Sequence, residues 1–244
     1  MAMRLRVAVR SSAKEIPWRS VQTPGRGLCY AMLRQLEPTL ARALHDDGWG
    51  AHRMVPFGYG PPTFPHATRA RGRYTIGGPG YLDLGSPLFA LVEAWAKVLV
   101  GTPLIEWGGV ALRVGGVELI ESPSFESGQA VLRTVTPVVV KGSGRGPDGV
   151  RTTRQAFLLP GEPEFAGYFA AGLRRKAETI GVDPGVTVEE ITWVGARRVV
   201  DAGKGAKVGA PLEARLRGAP ETLRALWSWG LGQSTSVGFG WVGA

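Results

Sequence analysis

The chain has 244 residues, 44% of them hydrophobic, with 36 glycines, 18 prolines and one cysteine. That apolar content fills either one large core or two smaller ones and excludes a disordered chain. The lone Cys29 excludes an internal disulfide and any multi-cysteine zinc site. A net charge of +9, mostly arginine, points to a polyanion as partner, because guanidinium groups fork onto phosphate oxygens and stack on bases.

In chain order, Arg4–Val9 alternates arginine with Leu5, Val7 and Val9, the pattern of a half-buried strand. Met1–Arg10 does not read as a secretory signal. A helix is predicted from about Arg26, with Cys29, Leu33, Leu36, Leu40 and Leu44 on one stripe and a break at Pro38. Met54–Tyr59 and Arg69–Ile76 read as strands, and along the second Arg69, Arg71 and Arg73 share one face. Ser86-Pro87 opens a helix buried through Leu88, Val92, Trp95 and Leu99 and stopped at Gly101. Asp83, Glu93, Lys97 and Pro103 break the apolar run Leu82–Trp107, so no membrane span is expected and a soluble, cytoplasmic protein is. Val110–Glu121 reads as a strand pair turned at Gly115-Gly116.

The second half repeats this order. Ala130–Lys141 reads as a strand rich in β-branched residues, and Arg151–Leu159 as its partner. Phe165, Phe169, Leu173 and Ile180 define a helix ending at Gly181. Val188–Asp201 and Pro211–Arg217 follow as strands, Pro220–Trp229 as a helix and Val237–Val242 as a last strand, while Gly142–Gly149 reads as a loop tip. Two successive β-α-β-β-α-β units give an α+β fold of tandem ferredoxin-like domains, 1–124 and 125–244. Charge is concentrated in Val131–Lys176, with eight Lys/Arg against three acids, including Arg174-Arg175-Lys176 at a helix end.

Two features bear on chemistry. Gly230, Gly232, Gly238 and Gly240 surround a polar centre between the last helix and the last strand. Backbone N–H groups in such a loop can reach an anion closely, although glycine is also the default helix terminator and a purely structural turn fits the same letters. A dinucleotide fingerprint needs the reverse order, strand then helix. If the loop binds phosphate, Gly232→Val damages affinity more than folding. The second feature is His45, near a helix end before Asp46, Asp47 and Gly48. As an ordinary helix-end residue it does nothing further, and with His52 it lacks a third ligand at metal-binding spacing. RNA carries its own nucleophile, the 2′-OH, so cutting it needs a proton acceptor, a proton donor and positive charge near the phosphate.

Three segments carry a family likeness: G-L-G-Q-S-T-S-V-G-F-G-W-V at the C-terminal end, Leu132–Val140, and Tyr30 with Leu44-His45-Asp46 followed by Pro56-Phe57-Gly58-Tyr59. Together they resemble the CRISPR-associated repeat-RNA-processing endoribonucleases of the repeat-associated RNA-binding superfamily. The resemblance implies a metal-independent endoribonuclease without a cofactor that cuts CRISPR precursor transcripts within the repeat. It leaves 2′,3′-cyclic phosphate and 5′-OH ends. By position it makes His45 a general base or acid and Tyr30 a partner that orients the 2′-OH or phosphate. Some members place a lysine shortly after the histidine; here Ala51-His52-Arg53 stands in that stretch, so His52, Arg53, Lys204 or Lys207 would supply the charge. RNA contacts are expected from Gly230, Gly232, Gln233, Ser234, Thr235 and Gly238 in the loop, and from Arg69, Arg71, Arg73, Arg174, Arg175, Lys204 and Lys207 outside it. Trp18 is a candidate to stack on a base. Implied partners are the repeat RNA, its cleaved product and other interference-complex subunits, with room for a homodimer. The competing readings are a non-catalytic RNA-binding subunit of a CRISPR ribonucleoprotein, and a nucleotide-binding or structural α+β protein.

Overall fold

The computed structural model describes residues 3–70, 72–76, 78–142, 150, 157–202 and 205–243. In the first half, β1 (Met3–Arg10) and the short β2 (Glu15–Pro17) precede α1 (Gly25–Leu36) and α2 (Pro38–Asp46). Strands β3 (Gly58–Tyr59), β4 (Arg69–Ala70), β5 (Arg73–Thr75) and β6 (Gly80–Ser86) follow, then α3 (Phe89–Val100), β7 (Leu104–Trp107) and β8 (Val110–Glu121). The main sheet runs β3-β6-β1-β8-β7, all antiparallel. Its core is Leu5, Val7 and Val9 of β1 and Leu82 and Leu84 of β6 under Leu33, Trp95 and Leu99 of the helices. Pro38 splits the first helix as its missing N–H requires, standing in the first turn of α2 where no donor is needed.

The second half contains β9 (Gln129–Arg133), β10 (Val140–Lys141), β11 (Phe157–Leu158), α4 (Phe165–Ile180), β12 (Thr187–Val194), β13 (Arg198–Asp201), β14 (Ala206–Gly209), β15 (Leu212–Arg217) and α5 (Pro220–Trp229). Here the sheet is β12-β15-β9, with the chain's end laid beside β9 through a Thr134–Val242 bridge and a Gly243 N–H to Arg133 carbonyl bond. A separate core gathers Leu132, Phe169, Leu173, Leu216 and Leu226. Both halves therefore place the strands of a βαββαβ unit in the same order, and the fold is α+β with tandem ferredoxin-like units.

Several strand expectations are corrected. Val110–Glu121 is one long strand: the register beside β1 shifts at Ala8/Val9, so Gly115 sits in a bulge, and the turn lies at Gly108-Gly109 instead. Arg69–Ile76 is a hairpin, because Gly72 has φ +75° and reverses the chain. Arg69 and Arg73 consequently stand on opposing strands, not on one face, and Arg71 lies outside the described residues. Gly80–Ser86, hidden in sequence by its glycines and by Asp83, is a central strand. Helix α3 starts at Phe89, with Ser86 Oγ accepting the Leu88 N–H. Ala130–Lys141 is interrupted between β9 and β10, and Val188–Asp201 divides into β12 and β13. The Arg151–Leu159 strand is described only at β11, and most of the Gly142–Gly149 loop falls outside the described residues. Val237–Val242 is not a strand: a 3₁₀ turn at Thr235–Val237 and left-handed Gly238 and Gly240 leave only the bridge at Val242.

The two halves are joined through the face of β1 that alternation alone would leave to solvent. Arg4 is 1% exposed. Its guanidinium lies between the rings of Trp227 (3.9 Å) and Trp241 (4.0 Å) and donates to the carbonyls of Val242 (2.9 Å) and Trp227. Burial pushes its pKa down to about 9, against the pull of nearby Asp83, so it remains a cation at neutral pH. Asp83 itself is held by a two-pronged bond from Arg6, both contacts 2.9 Å. Gly58 and Gly85 let the sheet approach α5 closely, since a Cβ on either would lie 2.3 Å from the carbonyl oxygen of Trp229 or Ser228. Replacing Arg4 by alanine strands two buried carbonyls and leaves a gap between two indoles. We expect a loss of about 2–3 kcal/mol in urea unfolding followed by tryptophan fluorescence. A loss below about 0.5 kcal/mol would show that the cation does not hold the halves together.

Candidate functional site

His45 lies in the last turn of α2, its side chain 62% exposed and its Nδ1 3.1 Å from Asp46 Oδ1. A row of edge-to-face rings places it. Tyr30 meets the imidazole at 5.5 Å between centroids and 74°, Phe57 meets Tyr30 at 5.6 Å, and Trp95 meets Phe57 at 5.6 Å. Each such contact contributes about 0.5–1.5 kcal/mol beyond simple burial. The imidazole is thus presented to solvent from a rigid wall rooted in the first core. Tyr30 is itself 4% exposed, and its hydroxyl points to the Leu44 carbonyl at 3.4 Å. Burial raises the pKa of that phenol, with Arg26 acting in the opposite sense.

The glycine loop comes from the second half and reaches the same place. Tyr59 sits between the start of α1 and the loop, because Gly25 and Gly238 both lack a Cβ where its ring lies. This brings Arg26, one residue beyond Gly25, to the loop: its Nη1 donates to Ser236 Oγ at 2.9 Å, and its Cζ lies 5.1 Å from the centre of the Tyr30 ring. Arg26 did not emerge as a candidate from the sequence, although it stands four residues before Tyr30 and so on the same helical face.

Much of the loop's hydrogen bonding is already satisfied, mostly by the segment Thr136–Val139. Leu231, Gln233 and Gly240 donate to the carbonyls of Gly240, Val139 and Pro137, and Trp241 N–H donates to Thr136 Oγ1. The amides of Ser234, Thr235 and Ser236, around the left-handed Ser234 (φ +63°), have no backbone acceptor among the described residues. Gly232 is buried at φ +72°, and a Cβ there would lie 2.7 Å from Val138 Cγ1 and 2.9 Å from the Val139 oxygen.

Lys176 corrects the reading of Arg174-Arg175-Lys176 as one basic surface. Arg174 and Arg175 are exposed, but Lys176 follows Phe165, Phe169 and Leu173 on the inner stripe of α4 and is 1% exposed. Its Nζ donates to the Gly230 carbonyl (2.9 Å), approaches Thr235 Oγ1 (3.5 Å) and lies 4.2 Å from the centre of the Trp229 ring. It pins the loop from beneath. Burial lowers its pKa well below the ordinary lysine value.

The remaining candidates lie elsewhere or have partners. His52 binds Glu178 of α4 at 2.5 Å, and Arg53 holds Asp47 through its carbonyl (2.9 Å) and carboxylate (3.1 Å). Arg73 reaches Glu15 at 3.4 Å. Arg174 Nε contacts the Val186 carbonyl at 3.4 Å. Lys207, on the β13–β14 hairpin, is half-buried, and burial with neighbouring Lys141 lowers its pKa. Lys204 lies outside the described residues, as do the side chain of Arg69 and all of Arg71. Between the halves runs a cleft of about 750 Å³ lined by Trp18, Arg19, Tyr74, Tyr81, Arg198 and Trp241, with Trp18 44% exposed. Among the described residues no three His, Cys, Asp or Glu side chains converge as metal ligands. No described helix is long and apolar enough to cross a membrane.

A tandem ferredoxin-like chain whose glycine loop is linked through Arg26 and Tyr30 to an exposed imidazole defines a class, and comparison with known proteins places it. The family description "CRISPR associated protein Cas6, C-terminal" matches residues 120–243. The chain belongs to the Cas6 family. A Cas6-related protein of Pyrococcus furiosus superposes with a TM-score of 0.80 at 14% identity, over 100% of this chain and 98% of its own. A RAMP protein that binds different RNA substrates gives 0.80 at 18% identity, over 98% of both chains. A Cas6 product complex gives 0.67 at 20% identity, over 99% of both. No curated protein sequence matches the chain. At these identities the structural matches establish the fold.

Two outcomes follow from the loop. Gly232→Val forces a side chain into Val138 and Val139 at a left-handed backbone, so the expected order of effects is reversed: folding suffers first, by about 2–4 kcal/mol on thermal or urea melts. Unchanged stability with lost RNA affinity would restore the original order. For Lys176, the unfolded chain binds the proton more tightly than the folded one. Stability from this group therefore rises with pH between its depressed folded value and 10.5, its ordinary value. The melting-temperature difference between wild type and Lys176→Met should shift in favour of wild type as pH is raised from 7 towards 10. A difference independent of pH would contradict a Lys176 proton affinity lowered by burial.

Proposed function

We propose that the protein is an endoribonuclease that cuts CRISPR precursor transcripts within the repeat. The observation that carries this reading is His45: a solvent-facing imidazole, braced by a buried aromatic row whose Tyr30 ring also meets Arg26, which in turn bonds the loop delivered by the other half. The 2′-oxygen of the nucleotide before the cut attacks the adjacent phosphorus. The new P–O2′ bond closes a 2′,3′-cyclic phosphate, and the P–O5′ bond breaks. One proton leaves the 2′-OH and one is gained by the departing 5′-oxygen, giving a 5′-OH. His45 serves as general base or acid for one of these transfers, a contribution of about 10²–10⁴-fold. Tyr30 acts through the imidazole, fixing its position, because its hydroxyl is turned to the Leu44 carbonyl. Residues 1–124 thus carry the proton chemistry and 125–244 the loop.

RNA is held by charge and stacking. The amide of the partly exposed Ser234 meets a phosphate oxygen, Arg174 and Arg175 add exposed charge, and an unpaired stretch enters the cleft lined by Trp18, whose ring stacks on a base. The RNA and its cleaved product are the proposed partners, within the cytoplasm.

The test is incubation of repeat RNA in EDTA, with analysis of the product ends. Cleavage should proceed, stop with a 2′-deoxy sugar before the scissile phosphate, and fall by about 10²–10⁴-fold in His45→Ala while binding persists. Cleavage lost in EDTA and restored by Mg²⁺ overturns the metal-free scheme. Tight, salt-sensitive binding without cutting instead identifies a non-catalytic RNA-binding subunit.

A further inference from the structure

We infer that Arg26 supplies the positive charge that meets the scissile phosphate. The inference rests on the reading of His45 given above and names a residue that this reading leaves open. Charge accumulates on the equatorial oxygens of a pentacoordinate phosphorus, and an oriented guanidinium is the side chain best suited to meet it.

The geometry selects Arg26 among the cations of the first half. His45 and Arg26 flank one ring: the imidazole meets Tyr30 at 5.5 Å between centroids, and the Arg26 Cζ lies 5.1 Å from the same ring centre. The guanidinium is only partly buried and has no carboxylate partner among the described ion pairs, so its charge is not neutralised by the protein. Its one hydrogen bond among the described residues goes to a neutral acceptor, Ser236 Oγ, at 2.9 Å. That bond orients the fork and leaves its other N–H groups available. His52 and Arg53, by contrast, are engaged by Glu178 and Asp47. Placement is rigid as well, since Gly25, the preceding residue, is packed against the Tyr59 ring that also contacts the loop at Gly238. Arg26 is asked only to stabilise charge on the phosphate, the proton transfers falling to other groups.

Single-turnover cleavage in EDTA, and affinity for the same RNA made uncleavable by a 2′-deoxy sugar, separate the possible roles. Arg26→Gln retains a donor for Ser236 and removes the charge; Arg26→Lys retains the charge. Arg26→Gln should slow cleavage by about 100-fold or more while affinity changes by less than about threefold, and Arg26→Lys should recover at least about tenfold of that loss. Equal losses in both variants, parallel losses of rate and affinity, or cleavage by Arg26→Gln at the wild-type rate would each overturn the assignment. His45→Ala is measured alongside. Abolished cutting there with undiminished cutting by Arg26→Gln sinks Arg26 alone, whereas undiminished cutting by His45→Ala sinks the reading of the imidazole beneath it.

Discussion

A guanidinium between two indoles governs how this molecule is put together. Each half has its own core, so nothing about their separate packing dictates how they meet. The relative position is set where Arg4 of β1 enters the stack of Trp227 and Trp241 and takes the carbonyls of Trp227 and Val242. A fully buried cation is costly unless its donors are used and its charge is met by π faces. That cost makes the arrangement selective, because a slip of one residue along β1 would replace Arg4 with Met3 or Leu5 and leave the carbonyls unpaired.

The candidate site depends on this docking, since neither half contains it whole. His45, Tyr30 and Arg26 stand on α1 and α2, while the loop that Arg26 reaches is the link following α5. Two further contacts reinforce the alignment. Tyr59 fits between α1 and Gly238, and the segment after α2 leans on α4, with Gly50 against the Thr179 carbonyl and His52 on Glu178. Lys176 holds the loop from below. The basic side chains at the site thus divide into two kinds: Lys176, buried, shapes the loop from within; Arg26, partly buried, bonds it at Ser236. Sequence does not separate them by residue type, only by position on a stripe.

The helices were legible from sequence because their apolar spacing is long and their stops are explicit: Pro38, Gly101 and Gly181 fall where expected. The tandem order was legible for the same reason, as strands between well-marked helices have few places to go. Short strands were harder. β6 carries Gly80, Asp83 and Gly85, each there for a neighbour distant in sequence: the Phe64 ring, Arg6 and the Ser228 carbonyl. Alternation in β1 showed that Arg4 and Arg6 share a face, but not that this face is covered. The glycines of the loop were visible as a motif, yet their function is mixed. Gly240 has φ +61° with the Leu231 oxygen where a Cβ would stand, a packing requirement that reads in sequence just as an anion loop would. His45 was identifiable by family likeness and by its helix-end position; Arg26 needed the Ser236 contact, formed across 210 positions of sequence.

The bond from Arg4 to the Val242 carbonyl spans 238 positions, so Arg4 waits for a partner synthesised much later. The leading half can form its own core meanwhile, as domains commonly do during synthesis. Until the tail arrives its sheet must keep a bare, hydrated face. Arginine suits that interval well, remaining soluble while unaccompanied and losing its water only when two indoles and two carbonyls arrive together. The nascent chain would acquire the cleft between its halves in a single late step.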